Sequence, residues 1–111
     1  MEIEGKVIEL DNEGYLVEPE QWQRNVAMEL AKRENLELYD EHWMVLDLMR
    51  DFYNEEGVIP DVRHIFKQMS VDLNINKKEA KAKLFSLFPY GYVQQACKIS
   101  GMRRPRGWST G

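Results

Sequence analysis

Asp40-Glu-His-Trp-Met-Val-Leu-Asp-Leu-Met-Arg-Asp-Phe-Tyr-Asn-Glu-Glu56, followed by Gly57, is the stretch that decides the fold. Apolar side chains at Trp43, Met44, Val45, Leu46, Leu48, Met49, Phe52 and Tyr53 leave it little purely polar face. A helix that is apolar most of the way round has to be covered by the rest of the chain, so this one is expected to be central. Asp40 is placed to cap its N-terminus and Glu41 suits the positive end of its dipole. Gly57 supplies the usual C-terminal stop.

On the C-terminal side, Gly57-Val-Ile-Pro60 breaks the chain. Residues 61–73 carry Val62, Ile65, Phe66, Met69 and Leu73 at helical spacing. Residues 76–88 open with Asn76 and Glu79 in capping-box relation, turn Ala80, Leu84, Leu87 and Phe88 to one face, and set Lys77, Lys78, Lys81 and Lys83 toward solvent. A last helix is expected from about Pro89 to Ser100, stopped by Gly101. The following arm, residues 102–111, contains Pro105 and two glycines and is expected to be irregular and flexible.

On the N-terminal side, Val26, Ala27, Leu30 and Ala31 form the stripe of a helix over 25–34. Leu36 and Leu38 read as core plugs, and Pro19 to Trp22 as a short helical turn. Residues 1–17 alternate short apolar runs with Gly5 and the cluster Asp11-Asn-Glu-Gly14, the pattern of a small meander. So few strand residues must lean on helices. The expected fold is α+β, mainly α, in one domain spanning 1–111. A β-meander (1–17) packs on a body of about five short helices (18–101), and an arm (102–111) leaves it.

A chain of 111 residues can bury a core without staples. Its 43% hydrophobic and 31% charged residues exclude neither class of soluble function, but they do exclude a membrane span, since no apolar run approaches the ~20 residues needed. The start, Met1-Glu-Ile-Glu, is acidic where a signal peptide is basic and apolar, and the single cysteine rules out an internal disulfide. The cytoplasm is the expected compartment. The net charge of −4 hides an asymmetry. Residues 1–60 hold 16 acidic and 5 basic side chains, and residues 61–111 hold 3 and 10. Either the two halves are solvated surfaces that attract weakly, or the basic half meets an anionic partner.

Few residues offer chemistry. His42 and His64 stand far apart with no ligand-spaced partner, so neither a metal nor another cofactor is expected, and His42, beside a core Trp, reads as structural. There is no phosphate-cradling glycine loop and no nucleophile elbow. The helices 61–73 and 76–88, joined by a tight turn, resemble a helix-turn-helix, which keeps DNA as an alternative partner. Against it, the lysine-bearing second helix is poor in the Arg, Asn and Gln that read bases, and a plain αα-hairpin explains the pair. Cys97 remains. Val93 and Ala96 on its helical neighbourhood suggest a buried, inert thiol. Lys98 and the arginines Arg103, Arg104 and Arg106 suggest the opposite, a thiolate made reactive by nearby cations.

Six spaced pieces carry a resemblance: Asp11-x-Glu-Gly-Tyr15-Leu16, Glu41-His-Trp43, Leu48-x-Arg50-Asp-Phe-Tyr53, Pro60-x-Val62-Arg63, Leu87-Phe-Pro-Tyr-Gly91 and Gln95-Ala-Cys97-Lys-Ile-Ser-Gly101. In this order they resemble the DsrC/TusE family of small sulfur-carrier proteins, over nearly the whole chain. The resemblance implies a helical fold with a small meander. It implies a sulfur-relay role, in which a cysteine carries sulfur as a persulfide or trisulfide between proteins, toward tRNA 2-thiouridine or in sulfite reduction and sulfur oxidation. It also implies partners: relay sulfurtransferases or sulfite reductase subunits. Members of this kind are carriers without a small-molecule active site.

The chain departs from that pattern in two places. The family's sulfur-carrying cysteine stands near the end of the arm, and Trp108 occupies that position here. Tyr92 stands where the family commonly has proline. A sulfur bridge between two cysteines of one chain is therefore excluded. Two readings follow: Cys97 carries the sulfur alone, or the chain is a regulatory paralogue that docks where a carrier docks. In the second reading Arg103, Arg104, Arg106 and Trp108 are the contact residues, Trp and Arg being favoured anchors.

Overall fold

The computed structural model describes residues 1–105. Arg106 and Trp108, two of the expected contact residues, lie outside the described residues.

The meander is built from two tight loops. Strands β1 (Glu2–Ile3) and β2 (Lys6–Val7) pair antiparallel, with Glu2 opposite Val7 and Ile3 opposite Lys6. The turn between them puts Glu4 and Gly5 at φ 50° and 82°, the primed geometry that suits a two-residue hairpin. A second loop closes through a single bridge between Leu10 and Leu16. Asp11 organises it, its Oδ1 accepting from the amides of Glu13 at 2.8 Å and Tyr15 at 2.9 Å. That loop drives Tyr15 and Leu16 into the core, together with Ile8.

A 3-10 turn, Pro19–Gln21, leads into α1 (Arg24–Arg33), whose buried residues are the stripe Val26, Ala27, Leu30 and Ala31. Helix α2 (Asp40–Glu56) buries His42, Val45, Leu46 and Met49, one strip along its length. Its other apolar residues, Trp43, Met44, Leu48, Phe52 and Tyr53, are half-buried flanks, so α2 is covered on one side and shouldered on two. Asp40 is not its cap. Tyr39 takes the extended cap conformation, and its amide donates to Nδ1 of His42 at 3.1 Å. The His42 ring nitrogen thus fills the N3 half of a capping box, accepting from the cap residue's own amide. Gly57 ends the helix at φ 73°.

Helix α3 (Val62–Leu73) starts on Asp61, whose Oδ1 accepts from the Arg63 amide at 2.8 Å, and ends on Asn74 in the left-handed region. Helix α4 (Lys77–Leu87) begins with the reciprocal box: Asn76 accepts from the Glu79 amide at 2.7 Å and Glu79 from the Asn76 amide at 3.0 Å. The two helices pack on each other and α3 packs on α2, with Ile65, Met69, Ala80 and Leu84 fully buried.

The last helix differs from expectation in start and in kind. Pro89 and Tyr90 are exposed turn residues, and Gly91, at φ 91° and ψ −179°, cannot be helical. The helix therefore begins at Tyr92. Its first five residues, Tyr92–Ala96, form a π-helical turn, and Cys97–Ile99 continue as α5. α5 packs on α1. Beyond Gly101, Met102 is fully buried, its amide donating to the Cys97 carbonyl at 3.0 Å, and Pro105 is buried too. The root of the arm is thus part of the body. No helix among the described residues is long and apolar enough to cross a membrane.

Candidate functional site

The site is the segment Tyr92–Gly101, and its centre is the Cys97 thiol. Cys97 is 0% exposed, packed in the same cluster as Val93, Ala96, Ile99 and Met102. The π turn that precedes it buries four of its five residues, Tyr92, Val93, Gln95 and Ala96, and leaves Gln94 exposed. Burial pushes the thiol well above its ordinary value, and a hydrogen bond to Tyr92 opposes that only in part. At neutral pH the group is a thiol, the unreactive form.

Tyr92 connects the thiol to the rest of the fold. Its hydroxyl is hydrogen-bonded with Cys97 and donates to the Pro60 carbonyl at 2.5 Å, just ahead of α3. The ring is fully buried, and burial raises its hydroxyl far above the usual phenol value. One tyrosine therefore pins the α2–α3 connection to the π turn.

Four further side chains hold the segment. Tyr15 donates from its hydroxyl to the Val93 carbonyl at 2.8 Å, and burial raises its pKa to about 12 against the lowering field of Arg104. Gln95 accepts from the Tyr90 amide at 3.1 Å and donates to Glu34 at 3.0 Å. Trp22 donates from its indole to the Ile99 carbonyl at 2.9 Å. Arg50 donates to the carbonyls of Ser100 and Pro19, each at 3.1 Å, with its guanidinium stacked over Trp22 at 4.9 Å and over Tyr53 at 5.4 Å. Burial lowers the Arg50 pKa from its ordinary value. Gly101 completes this socket. It sits at φ 79°, and any Cβ there would overlap the Trp22 ring.

Of the cations expected to activate Cys97, the three among the described residues are engaged elsewhere. Lys98 pairs with Glu34 at 3.4 Å and lies over the Tyr15 ring at 5.1 Å. Arg103 donates to the Val17 carbonyl at 3.0 Å, and Arg104 pairs with Glu13 on the second loop. None of the three is among the groups that set the thiol's pKa. What Arg103 and Arg104 do is fasten the arm root to the N-terminal loop.

His42 and His64 are separate structural residues. The His42 ring is buried, with Nε2 2.8 Å from the Leu87 carbonyl; because Nδ1 accepts from Tyr39, Nε2 carries the hydrogen. His64 packs its ring on Phe52 at 4.5 Å. The α3–α4 pair is an αα-hairpin in which the apolar faces are consumed by the core. Lys77, Lys78 and Lys81 are exposed, and Lys83 pairs with Glu41 at 2.9 Å.

Tyr15, Trp22, Arg50, Tyr92 and Gln95 were not legible as site residues from pattern alone. Four of them fall within or beside the motif pieces quoted above, which marked positions without giving roles. No sequence signal announced the π turn.

This architecture is shared with known proteins. The family described as DsrC like protein matches residues 2–108. Sulfurtransferase TusE of Escherichia coli K12 is 41% identical over 102 residues, covering 92% of this chain and 93% of that protein. The oxidized gamma-subunit of the dissimilatory sulfite reductase (DsrC) from Archaeoglobus fulgidus superimposes with a TM-score of 0.83 at 34% identity, covering 97% of each chain. Allochromatium vinosum DsrC superimposes with a TM-score of 0.82 at 39% identity, covering 98% of this chain and 96% of its own. Nothing in these relatives or in the α3–α4 geometry supports DNA binding. With its meander, its helical body and its cysteine-bearing last helix, the chain belongs to the DsrC-like protein family.

Proposed function

We propose that this chain is a sulfur-relay protein that works by docking on proteins of sulfur metabolism, and that it takes the carrier's place there without loading sulfur on Cys97 in its folded state. The observation that carries this reading is the complete burial of Cys97, the only thiol of the chain. A persulfide forms when a thiolate attacks a sulfur donor, and this group is neither ionised nor reachable. Trp108 stands where the family's carrying cysteine would, so the arm brings no thiol of its own.

The relatives give the partners their kind. By their names one is a sulfurtransferase and another a sulfite reductase subunit. Relay sulfurtransferases, as in tRNA thiolation, and sulfite reductase subunits are the partners this reading assigns, and the cytoplasm is the place it assigns. Arg103, Arg104, Arg106 and Trp108 are its contact residues. Deleting the arm from residue 102 would be an uninformative test, because Met102 belongs to the core. Trp108→Ala and Arg106→Ala are the informative variants. Each should weaken capture by purified relay sulfurtransferases or sulfite reductase subunits while the fold stays intact. Incubation with a persulfide donor should leave the native protein without a sulfur adduct. Stoichiometric loading of Cys97 in the native state would overturn the reading.

One observation favours a second reading. π-turns recur at functional sites, and this one adjoins Cys97 directly. If a partner unwinds it to an α-turn, Cys97 is exposed only in the complex. An adduct that forms with donor and partner together, and not with donor alone, distinguishes this case.

A further inference from the structure

A groove of about 350 Å³ opens beside the arm root, between Pro19, Tyr53, Val58, Ile59, Arg103 and Arg104. Its floor is apolar, and no carboxylate lines it. This is unusual for its surroundings, since residues 1–60 carry 16 acidic and 5 basic side chains. Val58 is 58% exposed at its edge, a large apolar side chain left uncovered. Arg103 uses Nε on the Val17 carbonyl, and its two terminal nitrogens have no partner among the described residues. Among the described residues Arg104 is paired with Glu13 alone, in an exposed contact that a better-placed carboxylate can displace.

We propose that this groove seats a short acidic and apolar segment of the docking partner, with carboxylates on Arg103 and Arg104 and an apolar side chain over Val58, Ile59 and Tyr53. Charge complementarity selects the occupant. Two arginines lining an apolar floor recognise a carboxylate next to an aliphatic or aromatic group, and they reject a basic helix. The groove is continuous with the arm, so a partner that receives the arm also covers it. The inference rests on the docking role in that it names the partner's chemistry, but its test uses no sulfur chemistry and no relay protein.

The test is a titration of the full-length, 15N-labelled chain with a synthetic peptide alternating glutamate and leucine. Saturable shift changes at Gly57, Val58, Ile59, Arg103 and Arg104 are expected. The glutamine-for-glutamate peptide should bind about tenfold more weakly, since each exposed arginine–carboxylate contact contributes up to about fivefold. Raising the salt should weaken the acidic peptide and leave the glutamine peptide unchanged. Val58→Asp, at an exposed position, should lose the acidic peptide with the rest of the spectrum preserved, and Arg103→Glu should lose it with further changes confined to Val17 and the arm root. Equal binding of the two peptides, absence of saturable binding, shifts centred on Lys77, Lys78 and Lys81, or shifts confined to residues 106–111 would each overturn the proposal. These outcomes leave the relay reading standing. Failure of relay proteins to bind leaves a positive titration standing.

Discussion

The Cys97 thiol and the Tyr92 hydroxyl are hydrogen-bonded to each other inside the core, and the hydroxyl passes the interaction on to the Pro60 carbonyl at 2.5 Å. A thiol at the centre of such a chain is a packing group first. It can become a nucleophile only if the segment that holds it opens. The following consequences can be measured.

Tyr92→Phe removes the hydroxyl and leaves a buried carbonyl at Pro60 without that donor. The loss should be about 1–3 kcal/mol, the cost of an unsatisfied buried group. Denaturant unfolding should show a lower midpoint with an unchanged slope. Because the same hydroxyl meets Cys97, the thiol of the variant should also react faster with a thiol reagent.

Arg50 ties two backbone carbonyls from opposite ends of the chain, at Pro19 and Ser100. Arg50→Ala should destabilise by roughly 2–4 kcal/mol, from two charge-assisted hydrogen bonds and the stack on Trp22. Arg50→Lys should recover only part of this, because a single ammonium lacks the fork that spans both carbonyls. Hydrogen exchange should rise first at Gly101 and Met102.

Gly101→Ala combines a left-handed backbone with a Cβ placed into the Trp22 ring. A loss above about 2 kcal/mol is expected, larger than the roughly 1 kcal/mol of the φ term alone. Gly57→Ala is the control. It shares the positive φ but has nothing within 4 Å, so its loss should stay near the φ term.

The titrating groups of the site give stability a pH dependence. Burial raises the Cys97 thiol in the folded state, while the unfolded thiol ionises near 8.5. Below about 8.5 both states hold the proton and the stability is fully present. Above it the unfolded chain releases the proton first, so stability falls as pH rises, by about 1.4 kcal/mol per unit per proton. Tyr15, raised to about 12, and Tyr92, raised further, add to the slope above their unfolded value of about 10. Urea midpoints from pH 7 to 11 should decline from about 8.5 and steepen near 10. Cys97→Ala should remove the first part of the decline and keep the second.

Much of this fold could be read from local rules. Asn76 and Glu79 made the capping box that their spacing announced, and Gly57 stopped α2 in the conformation only glycine takes easily. The stripe Val26, Ala27, Leu30 and Ala31 is buried to the last residue. The misses share a cause, which is that a distant residue decided a local matter. Helix α2 starts from Tyr39 and not from Asp40, with the His42 ring, held by the Leu87 carbonyl 45 residues away, accepting from the Tyr39 amide. The last helix starts only after Gly91 and opens with a π turn whose Tyr92 reaches Pro60 and whose Val93 carbonyl is met by Tyr15, both contacts distant in sequence. Near Cys97 the sequence held four cations within ten residues, but charge on the chain is not charge at the atom. Lys98, Arg103 and Arg104 were taken by Glu34, Val17 and Glu13, partners that no spacing rule connects to them.

The most direct test of the account is the rate at which a thiol reagent labels Cys97 in the native full-length protein, compared with the same protein in denaturant. Burial without local opening predicts native labelling slower by about a thousandfold or more, approaching the rate of global unfolding. Native labelling within about tenfold of the unfolded rate would mean that Cys97 is available in the resting fold, and the chain would then be a carrier in its own right.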